Sequence, residues 1–354
     1  MSKYVLRRLL QAIPTLIGVS LISFFLAKAA PGDPILNLTF DPKITEATRE
    51  TLRKQLGLDQ PLIVQYVRWF TGLVMRPGDV AEELAIAETT CRYISFLNYT
   101  FCDSGGGIIR ANLGTSITTK QPVWDRIIER VPATLELTAT GLLLGLLLGI
   151  PLGVLSAVRQ GSLFDNMVRF LAVVGNAVPI FWMGLILIFV FGVYLNWLPT
   201  GGRQTVSLTN EFDLVDRLRH LLLPSFVLAA GWVALLSRFM RAETLEVLHM
   251  DYIRTAKAKG LFPRHVWFVH ATRNALIPLV TILGPAIAGL LAGALVTETI
   301  FSWPGMGRLT FDAALQRDYP MVLGSVMIAS GLVILGNLLS DILYGVVDPR
   351  VRLS

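Results

Sequence analysis

The residues with the most chemical content form one polar stretch, Leu245-Glu246-Val247-Leu248-His249-Met250-Asp251-Tyr252-Ile253-Arg254-Thr255-Ala256-Lys257-Ala258-Lys259-Gly260-Leu261. Polar helix formers run here into a glycine suited to end a helix, so the pattern predicts a short basic surface helix. On physics alone such a helix lies against anionic lipid headgroups. Catalytic chemistry finds no foothold elsewhere. The dipeptide Gly-Lys never occurs, so there is no phosphate-cradling loop with its lysine; His-Glu-x-x-His and Gly-x-Ser-x-Gly are also missing. The four histidines, His220, His249, His265 and His270, fall near expected span ends or in loops, where capping or interfacial placement accounts for them better than metal ligation. We therefore read no catalytic and no metal-ligating residues. Cys91 and Cys102, the only cysteines, share one long hydrophilic stretch and form either a single disulfide or two unpaired thiols in a packed loop.

The elements that must position these residues are apolar. Of 354 residues, 53% are hydrophobic and 16% charged, against roughly 45–50% and 25% in soluble domains. Six apolar segments stand out, Leu9–Ala30, Thr134–Val158, Phe170–Leu195, Leu221–Ser237, Leu276–Val296 and Met321–Val347. Each is long enough to cross a bilayer core of ~30 Å with some tilt. The first is read as a retained helix, since its apolar part is long and no convincing small-x-small cleavage site follows before Pro31. A net charge of +6 raises nucleic acid as a partner, but Lys and Arg sit mostly between apolar runs and form no arginine-rich or aromatic-interleaved patch.

Short-loop Lys and Arg orient the chain. Lys3, Arg7, Arg8, Arg159, Arg169, Arg238, Arg241, Arg254, Lys257, Lys259, Arg264, Arg273, Arg350 and Arg352 make fourteen on one face, against Arg203, Arg217, Arg219, Arg308 and Arg317 on the other. Both termini and the 245–261 stretch are thus expected in the cytoplasm, and residues 31–133 outside. In that outer stretch a helix from Thr45 to Leu56 and another opening at Pro61, carrying Tyr66, Trp69, Phe70 and Leu73 on one face, are expected, followed by a less regular segment between Asp79 and Asn112. Outside the reducing cytoplasm a Cys91–Cys102 bond is chemically permitted.

Within the spans, Gly141, Gly145, Gly149 and Gly153 recur every fourth residue and make a smooth strip on one helix face; Gly289 and Gly293 repeat it on a smaller scale. Helix packing inside one subunit explains the strip better than a dimer seam. Polar residues at membrane depth are costly unless they face protein or water, which singles out Glu136, Asn176, Asn337 and Asp341. Asn176 with Pro179 is the first candidate for a translocation pathway; Glu136 and Asp341 read as structural anchors.

The 251–260 segment, Asp251-Tyr252-Ile253-Arg254-Thr255-Ala256 with Ala258-Lys259-Gly260, resembles the cytoplasmic coupling (EAA) loop of dipeptide/oligopeptide ABC transporter permeases, and it continues into His270 and Arg273-Asn274-Ala275-Leu276-Ile277-Pro278. Thr272 departs from the Leu of that pattern. Further matches are Pro31-Gly32-Asp33-Pro34, Pro132-Ala133-Thr134-Leu135-Glu136-Leu137, Glu298-Thr299-Ile300-Phe301-Ser302-Trp303-Pro304-Gly305-Met306-Gly307-Arg308, Arg317-Asp318-Tyr319-Pro320, and Asp341 with Tyr344 through Arg350. The resemblance covers about 1–76 and 112–354; residues 80–111 look like an insertion.

The resemblance implies an all-α integral membrane protein of the type I ABC importer kind, with six transmembrane helices: an N-terminal helix (1–30), a small extracytoplasmic loop domain (31–133), and a five-helix core (134–354) with a coupling loop at 243–275. It implies a bacterial inner-membrane subunit that pairs with a homologous permease and binds two ATP-binding cassette ATPases through Asp251, Tyr252, Ile253, Arg254, Thr255, Ala256, Lys257, Ala258, Lys259 and Gly260. An extracytoplasmic solute-binding protein delivers the cargo. ATP and Mg belong to the partner subunits, and no cofactor is expected on this chain. Short peptides are the expected cargo, with oligosaccharides, nickel complexes or glutathione as alternatives for the same machinery. A self-sufficient secondary carrier would need coupling-ion sites or inverted repeats, and neither is visible.

Overall fold

The computed structural model describes residues 2–29, 58–77, 90–96, 98–103, 106–205, 213–276, 278–290 and 293–347. The expected Thr45–Leu56 helix, Pro31–Pro34 and residues 348–350 lie outside these. By internal contacts the chain divides into two units, Met1–Val5 with Arg130–Arg308 and Leu332–Ser354, and Leu6–Glu129 with Leu309–Gly331.

In the second unit, α1 (Ser2–Ala29) contains a 24-residue apolar stretch of which 11% is buried within the chain, long and apolar enough to cross a bilayer. Near its end Phe24 packs against Tyr66 and Trp69 of α2 (Leu62–Thr71), with ring centroids 5.4 and 5.5 Å apart, and the Ser20 and Tyr66 hydroxyls are hydrogen-bonded at 2.8 Å. Pro61 precedes α2 as expected, but Gly72 at φ 79° ends it, and Leu73 belongs to a strand instead of the helix face.

The expectation of a less regular segment between Asp79 and Asn112 is corrected here by a small sheet, set within a chain that is otherwise mostly helical. β1 (Leu73–Pro77), β2 (Thr90–Ile94) and β3 (Tyr99–Asp103) form an antiparallel sheet in the order β1-β3-β2. Alternation explains it: Thr100 and Cys102 are buried while their neighbours are not, a period of two that a helix pattern search overlooks. Cys91 and Cys102 are directly opposite in register, and their sulfurs are bonded.

In the first unit, α3 (Val123–Val158) and α6 (Leu214–Leu248) are both longer than their apolar cores. The glycine strip of α3 meets α6 in step. A Cβ on Gly141, Gly145, Gly149 or Gly153 would fall within 3 Å of Leu228, Trp232, Leu236 or Met240 respectively, so the two helices run parallel with their backbones nearly touching.

The third apolar segment is not one straight span. α4 (Leu163–Ala177) and α5 (Ile180–Leu187), which continues as a π-helix over Ile188–Tyr194, meet at a bend of 103°. Pro179 supplies the break, because it lacks an N–H and forces Val178 into an extended conformation, ψ 125°.

After α6 come α7 (Asp251–Ala258) and a helical run over 263–275 that includes a π-helix at Val266–Ala271. The expected Leu276–Val296 span is divided into α8 (Leu279–Gly289) and α9 (Leu295–Ile300). At 1.5 Å per residue the 11 residues of α8 cover about 16 Å, half of a bilayer core. α10 (Met306–Leu315) and α11 (Tyr319–Val347) complete the chain. Among the described residues four helices are long and apolar enough to span, or five counting the bent pair.

Candidate functional site

The 251–260 stretch forms the expected helix, and its attachment is slight. Met250 is extended (ψ 148°) and breaks the chain away from α6 after a single further residue, His249. On α7 only Ile253 and Ala256, 0% and 7% exposed, are buried; they pack with Val247, Leu248, Val266, Trp267 and Ala271. Residues three apart share one side of a helix, so the rest of the surface is free for solvent or a partner. Asp251, Tyr252, Arg254, Thr255, Lys257, Ala258, Lys259 and Gly260 are all exposed, and Phe262, just beyond, is 83% exposed.

The ends are closed by local chemistry. Asp251 opens the helix and Lys257 closes it, each sign matching the helix dipole. Gly260 takes φ 76°, its N–H donates to the Lys257 carbonyl, and the Leu261 N–H donates to Ala256, the double bond of a Schellman ending. One side-chain tie reaches outward: Asn274 Nδ2 donates to the Tyr252 hydroxyl at 2.6 Å. The Asp251–Arg254 pair, 3.6 Å apart and solvated, contributes little.

Behind α7 the end of α6 is held by a buried carboxylate. Asp165, 0% exposed, accepts from Arg241 Nε (2.7 Å) and Nη2 (2.9 Å), from the Gly161 N–H (3.0 Å) and from the Ser156 hydroxyl. Ser162 caps α4 by accepting from the Asp165 N–H. α3, the turn after it, α4 and α6 thus converge on one side chain.

At the opposite end of α3 lies a second polar knot. Glu298 is fully buried; Thr134 donates to it at 2.9 Å, and the backbone N–H groups of Arg308 (2.9 Å) and Ala294 (3.3 Å) donate to it as well. Thr134 in turn accepts from the Met306 N–H, and the buried Trp303 indole donates to the Ala133 carbonyl at 2.7 Å. A Cβ on Gly305 would lie 2.2 Å from the Glu298 carboxyl carbon, so that motif glycine makes room for the carboxylate. Glu136 accepts from both Arg203 and Arg217, at 2.6 to 3.0 Å.

These arrangements bear on kinship. The model of the binding-protein-dependent transport system inner membrane component matches residues 149–353, more than half of the chain, and the model of the N-terminal part of such components matches 1–104. The chain belongs to this family. It is 43% identical over 353 residues to the oligopeptide transport system permease protein AppB of Bacillus subtilis (strain 168), covering 99% of this chain and 100% of that one. It is 39% identical to the di/tripeptide transport system permease protein DppB of Pseudomonas aeruginosa and 38% to the dipeptide transport system permease protein DppB of Escherichia coli K12, each over 99% of both chains. Among solved structures, the inward-facing MetNI methionine ABC transporter has a chain of similar fold, with a TM-score of 0.50 at 16% identity, covering 63% of this chain and 96% of that one.

As a member of this family the chain is a multi-pass inner-membrane permease component, and ATP hydrolysis is not its own chemistry. The residues read from the sequence are not gathered in one place. Asn176 and Pro179 are exposed at the α4–α5 bend, more than 70 residues before α7 in sequence; Asn337 is exposed on α11, and the side chain of Asp341 lies outside the described residues. Thr272, the departure from the peptide-family wording, is buried and donates to the Trp267 carbonyl within the π-helix. Asp165, Arg241 and Glu298 escaped the sequence reading as functional groups. The one signal available was the Ser162-x-x-Asp165 capping pattern after Gly161.

Proposed function

We propose that the chain is the permease subunit of an ATP-driven importer of short peptides, with α7 as the helix on which a cytoplasmic ATPase seats. The observation that carries this is the form of α7: a short helix ended by a Schellman turn at Gly260, packed through Ile253 and Ala256 and exposing its remaining residues, in a chain 43% identical to an oligopeptide permease. A short helix seated in a groove of a moving partner transmits rigid-body displacement. ATP binding and hydrolysis on that partner then shift the balance between inward- and outward-facing states.

In this reading both termini and α7 are cytoplasmic, following the Lys and Arg bias, and the sheet with Cys91 and Cys102 is outside. A second, homologous permease completes the pathway, with Asn176 and Pro179 on this chain's share of it. Two ATP-binding cassette subunits hold ATP and Mg, this chain binds no cofactor, and an extracytoplasmic solute-binding protein delivers peptide.

The test is affinity purification of the tagged chain from its native membrane in mild detergent, mass spectrometry of what accompanies it, and uptake in liposomes. A homologous permease, two P-loop ATPases and ATP-dependent uptake of di- or oligopeptides are expected. Transport by the chain alone without ATP overturns the proposal.

A further inference from the structure

We propose that the Asp165–Arg241 pair is a shear lock that makes α3, α4 and α6 follow α7 as one body, so that its loss lets ATP be hydrolysed without solute being moved. The inference rests on the docking role proposed for α7.

A displacement of α7 passes first into the last turns of α6, because Ile253 and Ala256 pack on Val247 and Leu248. From there it either moves the helices behind or is absorbed by α6 sliding along its neighbour. The α3–α6 seam sets a resting register, with Leu228, Trp232, Leu236 and Met240 of α6 each against one glycine of α3. Those contacts are apolar and non-directional, so a polar tie beyond the last glycine adds what the strip lacks.

The strip ends at Gly153, where a Cβ would lie 2.6 Å from the Ser237 carbonyl oxygen and 3.1 Å from the Arg241 nitrogen. One turn further along α3, at Ser156, the polar cluster begins. The Arg241 guanidinium engages Asp165 with two N–H groups on two oxygens, a fork that fixes direction as well as distance. Asp165 also holds Ser156 at the end of α3 and Gly161 in the turn before α4. Arg241 stands seven residues before the end of α6, about 10 Å along its axis. The lock thus sits between the helix that is pushed and the spans that must move. Since the carboxylate is wholly buried, breaking the fork leaves a charge uncompensated, and the register is held until that cost is met.

The experiment uses the whole assembly, copurified with its ATPase subunits and reconstituted with the solute-binding protein. ATP hydrolysed per solute taken up is measured for wild type, Asp165→Asn, Arg241→Gln and the double variant. Asp165→Asn and Arg241→Gln are expected to retain ATPase subunits and hydrolysis while ATP per solute rises at least roughly fivefold, the lower end of ordinary coupling between sites. The double variant should be no worse than either single one, since the pair acts as a unit. Should Asp165→Asn fail to assemble, Ser156→Ala, which keeps the ion pair and removes one donor, is expected to raise the ratio by a smaller factor. A wild-type ratio in the assembled variants, or hydrolysis, ATPase retention and uptake falling in equal proportion, overturns the shear lock. Absence of ATP-driven uptake in wild type, with ATPases failing to copurify, overturns the docking reading itself.

Discussion

α7 and the Glu298 knot are held by opposite means within the same unit. α7 is attached through the buried Ile253 and Ala256 and one exposed hydrogen bond from Asn274 to Tyr252, and presents the rest of its surface outward, whereas Glu298 is enclosed and accepts from a hydroxyl and two backbone N–H groups. A buried carboxylate so satisfied tolerates almost no displacement, because each lost bond leaves an unpaired polar group. A helix resting on Ile253 and Ala256 is free to meet a partner without first breaking its own contacts. Rigidity is placed behind α7 and at the far end of the spans, and accessibility at α7 itself.

The comparison breaks most sharply at Glu298. Glu298→Ala orphans three donors at about 1–3 kcal/mol each, and Gly305→Ala forces a methyl onto the carboxylate. Both are expected to lower the thermal midpoint in detergent strongly or to abolish recoverable protein; a melting curve like wild type would show the knot to be dispensable.

Next in size is Ala256→Asp, which places a carboxylate among Val247, Val266 and Ala271. Amide exchange should quicken over 251–258 while the region around Glu298 stays protected, and transport should be lost. Exchange rising in both regions together would mean that the two are not independent.

Gly260→Leu costs about 1–2 kcal/mol, the penalty of a left-handed conformation for a side chain that meets no neighbour. Transport should fall with the global melting point little changed, and Gly260→Asn should recover part of it, since Asn enters that conformation more readily.

The smallest effect on stability is expected for Lys257→Ala, exposed and within about 0.5 kcal/mol of wild type. Its signature lies in partner retention: ATPase subunits should wash off at lower salt than from wild type, as screening weakens a contact already short of one charge. Unchanged retention across the salt series would remove Lys257 from the docking surface.

Much of this was legible in the sequence. Apolar length alone located α1, α3, α6 and α11, the four-residue glycine period anticipated a close helix contact, and the polar run into Gly260 marked α7 and its ending. The bend at Pro179, the division of 276–296 and the β2–β3 hairpin were not legible. Hydropathy averages over a window and does not see where a backbone turns, and strand alternation over five residues is a weak signal in a chain dominated by helices.

The sequence by itself determined that this chain lives in a membrane, that it carries no phosphate loop, and which segment faces outward as a basic helix, because composition, spacing and local capping are properties of neighbours along the chain. Only the tertiary structure decided which charges are buried and paired. Asp165 and Arg241 are 76 residues apart and Thr134 and Glu298 are 164 apart, so their pairing exists only once helices pack, and burial of the two carboxylates then makes each partner costly to remove.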